Sequence, residues 1–233
     1  MVSNILKQFL TISDEEAVKF DAIANALVEK NKVVNLTALT EPQDVAMLHF
    51  YDSLTLCDGE ILSKDSEKTV IDVGCGAGFP SLPLSVFCPK STFTLLDSTE
   101  KKLEFAKEQK QSLGLNIKAL AGRAEELSHE KAYRDSFDIA AARGVARLNI
   151  LCEWAMPFVK VGGLFVAMKG PRGAEEAEEA KSAIKTLGGE LERIIEAPIP
   201  LTERTHTIVV IRKISPTPAA YPRENKKIQK RSL

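Results

Sequence analysis

The sequence is poor in the residues that build metal centres and disulfide frameworks. Its four cysteines, Cys57, Cys75, Cys88 and Cys152, lie far apart without a CxxC pair, and the chain has three histidines. Structural zinc sites need closely spaced Cys or His ligands, and disulfide-stapled domains need dense cysteines. We therefore expect no metal, no disulfide framework and a reducing compartment.

Long apolar runs are also lacking. A membrane-spanning helix needs about 20 consecutive apolar residues, and no segment of this chain approaches that length. The first residues, MVSNILKQFLTISDEE, do not have the basic and apolar regions of a secretory leader. No long apolar stripe demands a second copy of the chain. We expect a cytoplasmic, monomeric protein without a membrane partner.

The chain also has few aromatic residues and no large excess of one charge. Aromatics make up 6% of the chain, and 31 Lys and Arg nearly balance 32 Asp and Glu. A broad platform of rings that stacks single-stranded bases is therefore not expected. From Arg204 to Leu233, however, eight Lys and Arg oppose Glu224 alone. A nucleic-acid partner would be held mainly through its backbone, by this basic end and by loop rims, in a salt-sensitive way.

The N-terminal part of the chain carries helical patterns. Ser13 and Glu16 form a capping-box pattern, and apolar residues then recur on one helical face up to about Lys30. A second helix is predicted to begin near Glu41, with a proline in its first turn. Residues 59–68 are interpreted as a polar linker.

From Thr69 onward, short apolar runs alternate with helical patterns. The strand candidates are TVIDV, TFTLLD, NIKALA, FDIAAAR, GLFVAMK, ELERIIEA and HTIVVIRK. This alternation predicts an α/β fold with a mostly parallel sheet covered on both faces. We divide the chain into an N-terminal helical extension (1–66), a Rossmann-like domain (67–214) and a basic tail (215–233), which is expected to be extended unless it docks.

A glycine-rich turn follows the first predicted strand, in the stretch VIDVGCGAGFP. Gly74, Gly76 and Gly78 let the backbone approach a nucleoside-type ligand closely. A dinucleotide-binding frame starting at Gly74 would need glycine at the position of Phe79, and no Gly-Lys-Ser/Thr of a phosphate-binding loop follows. The G-x-G-x-G spacing after Asp72 instead resembles the first motif of class I S-adenosylmethionine-dependent methyltransferases.

An acid at the end of the next strand would complete such a site. Asp97 closes TFTLLD, about twenty residues beyond the glycines, where a carboxylate can accept hydrogen bonds from ribose hydroxyls. A single aspartate at a strand end also fits a turn or a helix cap. Its register with the glycine loop favours the ribose role.

These motifs occur in a chain that resembles one family over nearly its whole length: the bacterial small-subunit (16S) rRNA guanine-N7 methyltransferases, also known as glucose-inhibited division protein B. The matching stretches are NLTAL (35–39), HFYDSL (49–54), DVGCGAGFPSLPL (72–84), LLDSTEKKLEF (95–105), GRAEEL (122–127), FDIAAARGVA (137–146), LFVAMKG (164–170) and ERTHTIVVIRK (203–213). The glycine motif alone is widespread, whereas the combination is specific. One departure lies in YPRENKKIQKRSL, which keeps the Tyr-Pro-Arg of the family's closing pattern but not its Gly-x-Pro.

The resemblance implies a class I fold with a seven-stranded sheet, S-adenosylmethionine as cofactor, and 16S rRNA or the 30S particle as partner. It assigns the cofactor to Gly74, Gly76 and Phe79 on the methionine side, Asp97 at the ribose, Ala124 and Glu125 at the adenine edge, and Arg143 in the pocket. On the residues alone, Glu125 is a solvated helix start and Arg143 a strand-end ion pair. Arg147, Lys169 and Arg223 are the candidates for RNA contact.

The implied reaction needs no dedicated catalytic acid or base. Guanine N7 has an available lone pair in the neutral base, so catalysis can rest on orientation. The chain has AAARGVA where enzymes acting on exocyclic amines carry an Asn/Asp-Pro-Pro-aromatic motif. Two alternatives stay open: a methyltransferase of the same fold acting on a small molecule or protein, and a non-enzymatic binding module. Removing the residues after Ile214 is expected to weaken mainly RNA binding.

Overall fold

A single β-sheet forms the centre of the structure. The computed structural model describes residues 1–233 except the side chain of residue 58. The strands are β1 Thr69–Val73, β2 Thr92–Asp97, β3 Ile117–Ala121, β4 Phe137–Arg143, β5 Val159–Lys169, β6 Gly189–Pro198 and β7 Thr205–Lys213. In the described residues these seven strands pair in the order β3-β2-β1-β4-β5-β7-β6. The predicted α/β fold with a seven-stranded, mostly parallel sheet is confirmed.

The direction of the strands decides where a ligand can bind. Strands β1 to β5 are mutually parallel where they pair, whereas β7 is antiparallel to both β5 and β6. The carboxyl ends of β1 to β6 and the beginning of β7 therefore meet at one edge of the sheet. The strand order reverses between β1 and β4, and ligands of open α/β sheets bind in the crevice at such a point.

Helices cover both faces of the sheet. In the N-terminal part they are α1 Val2–Leu6, α2 Asp14–Asn31, α3 Pro42–Asp44, the π-helix Val45–Tyr51 and α4 Asp52–Asp58. The later helices are α5 Ser81–Phe87, α6 Glu100–Leu113, α7 Ala124–Leu127, α8 Leu148–Ala155, the 3-10 turn Met156–Phe158, α9 Gly173–Glu179, α10 Lys181–Thr186 and α11 Asn225–Lys230. Sequence periodicity did not indicate the π-helical stretch.

Local signals begin the first long helix as predicted. The Ser13 hydroxyl accepts a hydrogen bond from the Glu16 amide at 3.2 Å, and the Glu16 carboxylate accepts one from the Ser13 amide at 2.6 Å. This reciprocal pair satisfies two of the unpaired amides at a helix start. Phe20 and Leu27 on the same helix are fully buried in one core with Phe93 of β2. Because that core is shared, the boundary at residue 66 stays a prediction.

The segment 59–68 is more than the polar linker predicted from its composition. Ile61 and Leu62 are buried, and the backbone amides of both bond to the carbonyl of Leu56. These two apolar residues anchor the connection between α4 and β1. The prediction counted the charged residues around them and missed this anchor.

The basic tail is docked, with a helix near its end. The Arg134 guanidinium donates to the carbonyl oxygens of Thr217 at 2.8 Å and Tyr221 at 3.0 Å. Arg223 forms hydrogen bonds to both carboxylate oxygens of the fully buried Glu153. Ile228 of α11 is also fully buried. The tail therefore belongs to the folded core, because it supplies both a buried apolar side chain and the partner of a buried charge.

Removing residues 215–233 is expected to destabilise the fold as well as affect any RNA contact. Glu153 would lose Arg223, and breaking a buried ion pair costs about 3–5 kcal/mol. The buried Lys213 ammonium would lose its 2.7 Å hydrogen bond to Thr217. Chemical denaturation should show a free energy of unfolding lowered by several kcal/mol. The matched variant Lys226→Gln/Lys230→Gln changes only exposed side chains and should unfold like the parent; an unchanged stability of the truncated chain would contradict this account.

Candidate active site

A cavity of about 590 Å³ opens at the carboxyl edge of the sheet. The glycine loop, the end of β2, the start of α7, the end of β4 and residues 36–37 form its wall. The sequence-predicted cofactor residues all border it: Gly74, Gly76, Phe79, Asp97, Ala124, Glu125 and Arg143. The fold thus brings this set together, while the contact of each with a ligand stays a prediction.

Glycine is required in the loop after β1 for two different reasons. Gly74 has a φ of +76°, and a Cβ atom there would lie 2.8 Å from the Val145 side chain. Gly76 has a φ of +56°, and a Cβ atom there would meet no described atom within 4 Å. At Gly74 a side chain would collide as well as adopt a disfavoured backbone conformation, whereas at Gly76 only the backbone conformation disfavours it. Because these positions have no side chains, the backbone of the loop can border the cavity directly.

Asp97 fixes this loop and still has capacity to bind a ligand. Its Oδ2 atom accepts a hydrogen bond from the Gly76 amide at 3.0 Å, and Oδ1 accepts one from the Thr99 amide at 2.8 Å. A carboxylate has about four acceptor positions, so two amides leave acceptor capacity at the cavity wall. The turn-capping role and the proposed ribose role are therefore compatible in one side chain.

A second carboxylate lies beneath the loop. Asp72 of β1 is fully buried, and its Oδ2 atom accepts a hydrogen bond from the Ser81 amide at 3.2 Å, in the first turn of α5. Burial raises the pKa of Asp72 to about 6. This hydrogen bond holds the start of α5 against the end of β1, so the loop between them is fixed at both ends.

Arg143, at the end of β4, forms the strand-end ion pair that its position indicates. Its Nη1 atom lies 2.8 Å from Asp52 Oδ2, and the other carboxylate oxygen accepts from His206 Nδ1 at 2.7 Å. Burial by itself raises the pKa of Asp52, but the hydrogen bond from His206 and the charge of Arg143 hold it below its ordinary value. The ion pair does not remove Arg143 from the cavity wall, because the residue also borders the cavity.

His49 also borders the cavity. Its ring stacks on Phe79 with centroids 4.6 Å apart and an angle of 21° between the planes. Nδ1 lies 3.3 Å from Arg143 Nη2, and Nε2 lies 2.8 Å from the Thr37 hydroxyl oxygen. Burial lowers the pKa of His49 to about 4, and the charge of Arg143 acts in the same direction. The imidazole is therefore neutral near pH 7.

Sequence reasoning missed part of this wall. Leu36, Thr37, His49, Val145 and Trp154 border the cavity but were not predicted as site residues. Thr37 and His49 do lie in the stretches NLTAL and HFYDSL, so the resemblance marked the segments without indicating a chemical role. Their proximity to the glycine loop depends on how the N-terminal helices pack, which no local pattern specifies.

The three residues predicted to contact RNA lie in different environments. Arg147 is 66% exposed and pairs with Glu179. The Lys169 side chain is only 8% exposed, and its Nζ atom lies 2.8 Å from Glu176 Oε2. Arg223 is engaged by Glu153, as described above. The charges of Lys169 and Arg223 are thus satisfied inside the protein, and of the three only Arg147 presents a largely exposed side chain.

The His, Cys, Asp and Glu side chains of the described residues form no group of three able to hold a metal ion. None of the described helices is both long and apolar enough to cross a membrane.

Comparison with known proteins gives consistent matches in sequence. The family profile described as "GidB: rRNA small subunit methyltransferase G" matches residues 16–204. A "Ribosomal RNA small subunit methyltransferase G" of Alkaliphilus metalliredigens is 45% identical over 214 residues, which are 91% of this chain and 89% of the relative. A protein of the same description from Thermoanaerobacter sp. strain X514 is 46% identical over 209 residues, covering 89% and 86%.

Solved structures share the fold at low sequence identity. TrmN from Thermus thermophilus aligns with a TM-score of 0.52 and 20% identity, covering 70% of this chain and 48% of that protein. A putative methyltransferase from Bacillus halodurans aligns with a TM-score of 0.53 and 15% identity, covering 71% and 100%. These similarities support the class I methyltransferase fold alone.

Replacing Asp97 tests the cofactor end of the cavity. Asp97→Asn keeps one acceptor oxygen but replaces the other by an amide donor, which faces the backbone amide of Gly76 or Thr99 and cannot accept a hydrogen bond from a ribose hydroxyl. Hydrogen bonds to charged groups contribute about 1.5–3 kcal/mol, so the affinity for S-adenosylmethionine should fall roughly ten- to a hundredfold in calorimetric titration. The control Asp65→Asn removes an exposed aspartate paired with Lys90 and should bind normally. Equal affinity of the Asp97 variant and the parent chain would count against the ribose role.

Proposed function

Because the chain belongs to the rRNA small subunit methyltransferase G family, we propose that it transfers a methyl group from S-adenosylmethionine to N7 of a guanine in 16S ribosomal RNA. It is a methyltransferase with the class I Rossmann-like fold. The observation that carries the proposal is the family match over residues 16–204, which includes every residue of the predicted cofactor set. The 16S rRNA or 30S particle is the proposed partner, in the cytoplasm, and the monomeric state stays a prediction.

The residues around the cavity fit this cofactor. Open space at Gly76 admits a ligand against the backbone, and the Asp97 carboxylate has acceptor capacity for a ribose diol. Ala124 and Glu125 border the same cavity beside Asp97, at the proposed adenine edge. A cavity of about 590 Å³ lies within the ordinary range for small-molecule sites, about 300–1,000 Å³.

In the proposed reaction the protein has to orient the two reactants and does not have to transfer a proton. Bound S-adenosylmethionine supplies an electrophilic methyl carbon: the N7 lone pair forms the new bond, the carbon–sulfur bond breaks towards sulfur, and the positive charge passes to guanine. Good orientation of the reactants is worth about 7–11 kcal/mol of a barrier. His49 agrees with this scheme: its pKa of about 4 makes it a weak base, and no side chain has to accept a proton from the attacking nitrogen.

We propose that the RNA backbone contacts the rim at the carboxyl edge of the sheet. Arg172 follows β5 and Arg204 precedes β7, and these strands are neighbours with Lys169 in register with Thr207. Arg172 and Arg204 are both exposed, and among the described side chains neither has an ion-pair partner. Exposed, unpaired cations at this edge of the sheet suit phosphate groups.

The end of the basic tail adjoins the same rim. The Asn149 side chain, at the start of α8, donates a hydrogen bond to the Ser232 hydroxyl at 2.7 Å. This contact brings the exposed Lys230 and Arg231 close to the loop that contains Arg147. The tail can therefore contribute cations to RNA binding while its inner side stabilises the fold.

The reaction is tested by methyl transfer to ribosomal RNA from cells that lack the protein. Labelled S-adenosylmethionine is supplied with free 16S rRNA, 30S particles or 50S particles, and the RNA is then digested to nucleosides. We expect label in 7-methylguanosine from small-subunit RNA and none from 50S particles. Intact cofactor binding with no label in any RNA would instead favour a methyltransferase that acts on a small molecule or protein.

The RNA surface is tested by neutralising its two unpaired arginines. Arg172→Gln/Arg204→Gln should raise the KM for RNA roughly tenfold at moderate salt and reduce the salt dependence of binding by about one per lost phosphate contact. Affinity for S-adenosylmethionine should not change. The matched control Lys68→Gln/Lys118→Gln removes two exposed cations away from the rim. If both double variants show the same KM, the rim is not the contact surface.

A further inference from the structure

A short segment of the N-terminal extension is fixed over the cavity. The Asn31 side-chain oxygen, at the end of α2, accepts hydrogen bonds from the amides of Leu36 at 2.7 Å and Thr37 at 2.9 Å. Both of these residues border the cavity. The backbone amides of residues 36 and 37 are therefore held independently of the Thr37 side chain.

The position of the proton on His49 follows from its neighbours. An arginine guanidinium has only hydrogen-bond donors, so His49 Nδ1, at 3.3 Å from Arg143 Nη2, must be the acceptor. A neutral imidazole carries its single proton on the other nitrogen. Nε2–H therefore donates to the Thr37 hydroxyl oxygen at 2.8 Å.

This donor uses one of two acceptor positions on the Thr37 oxygen. The amide of Leu39 donates to the same oxygen at 3.0 Å. With both lone pairs occupied, the hydroxyl can act further only as a donor. Among the described residues its hydrogen has no acceptor, and Thr37 lies on the cavity wall.

We propose that the Thr37 hydroxyl donates a hydrogen bond to an oxygen acceptor of a ligand in the cavity, with Arg143 and His49 as positioning residues. The inference rests on the proposed function, which offers two such acceptors. One is the carboxylate of the methionine part of S-adenosylmethionine. The other is guanine O6, which lies beside N7 on the same edge of the base.

Three variants separate the hydroxyl from the space that it occupies. Thr37→Val keeps the shape and removes the hydroxyl, Thr37→Ser keeps the hydroxyl, and Thr40→Val makes the same change at an exposed threonine nearby. Calorimetry gives the affinities for S-adenosylmethionine and for its decarboxylated analogue. Steady-state kinetics give kcat and KM on the small-subunit RNA, and thermal melting verifies that each variant is folded.

The two acceptors give different results. If the carboxylate is the acceptor, Thr37→Val should lower the affinity for S-adenosylmethionine about tenfold, the effect of one hydrogen bond, and leave that of the decarboxylated analogue unchanged. If guanine O6 is the acceptor, both cofactor affinities should stay unchanged while kcat/KM on RNA falls about tenfold. In both cases Thr37→Ser and Thr40→Val should behave like the parent chain.

Two results would overturn the proposal. One is a Thr37→Val variant with parental cofactor affinity and parental kcat/KM; the other is a Thr37→Ser variant as impaired as Thr37→Val. Failure of the proposed function has a different signature, which is a parent chain that methylates no RNA. In that case the two cofactor titrations alone decide, and unchanged affinity for S-adenosylmethionine rejects the role of Thr37.

Discussion

A single buried carboxylate, that of Asp52, determines how the parts of the active site meet. It accepts from Arg143 at the end of β4 and from His206 at the beginning of β7, while Asp52 itself begins α4. A buried ion pair adds little net stability compared with apolar packing, but losing one partner is costly. The placement of the N-terminal helices on the sheet satisfies these three groups together. That placement brings His49 onto Phe79 and Thr37 to the cavity wall.

The cofactor end of the cavity could be predicted because its residues belong to local sequence patterns. Gly74 and Gly76 follow β1 directly and Asp97 ends β2, and because these consecutive strands pair in parallel, their ends meet at the same edge of the sheet. Strand alternation and the capping box at Ser13 are equally local signals. The wall around Arg143 is different, because its contacts are long-range. Asp52 bonds to Arg143, 91 positions away in the chain, and to His206, 154 positions away. No period in the sequence reports such a pairing, and the family resemblance identified segments rather than contacts.

The sequence could not show which positive charges are available to a ligand. A count of Lys and Arg indicates where positive charge is plentiful, but not which charges are already satisfied by neighbouring carboxylates. Lys169 and Arg223 were predicted as RNA contacts, and the fold pairs them with Glu176 and Glu153. Arg172 and Arg204 were not singled out, yet both are exposed at the rim. Burial and pairing are properties of tertiary structure, so only the fold distinguishes a structural cation from one available to phosphate.

The Asp52 carboxylate also affects the proposed reaction. Methylation at N7 leaves guanine positively charged, and an isolated arginine at the cavity wall would oppose that charge. Asp52 lies 2.8 Å from Arg143 and compensates its charge, whereas burial keeps His49 neutral. The wall formed by Arg143 and His49 therefore has hydrogen-bond donors that can orient a base, but the Arg143–Asp52 pair gives it no net positive charge. A wall of this kind can hold an electron-rich nitrogen in line with a sulfonium without penalising the cation that forms.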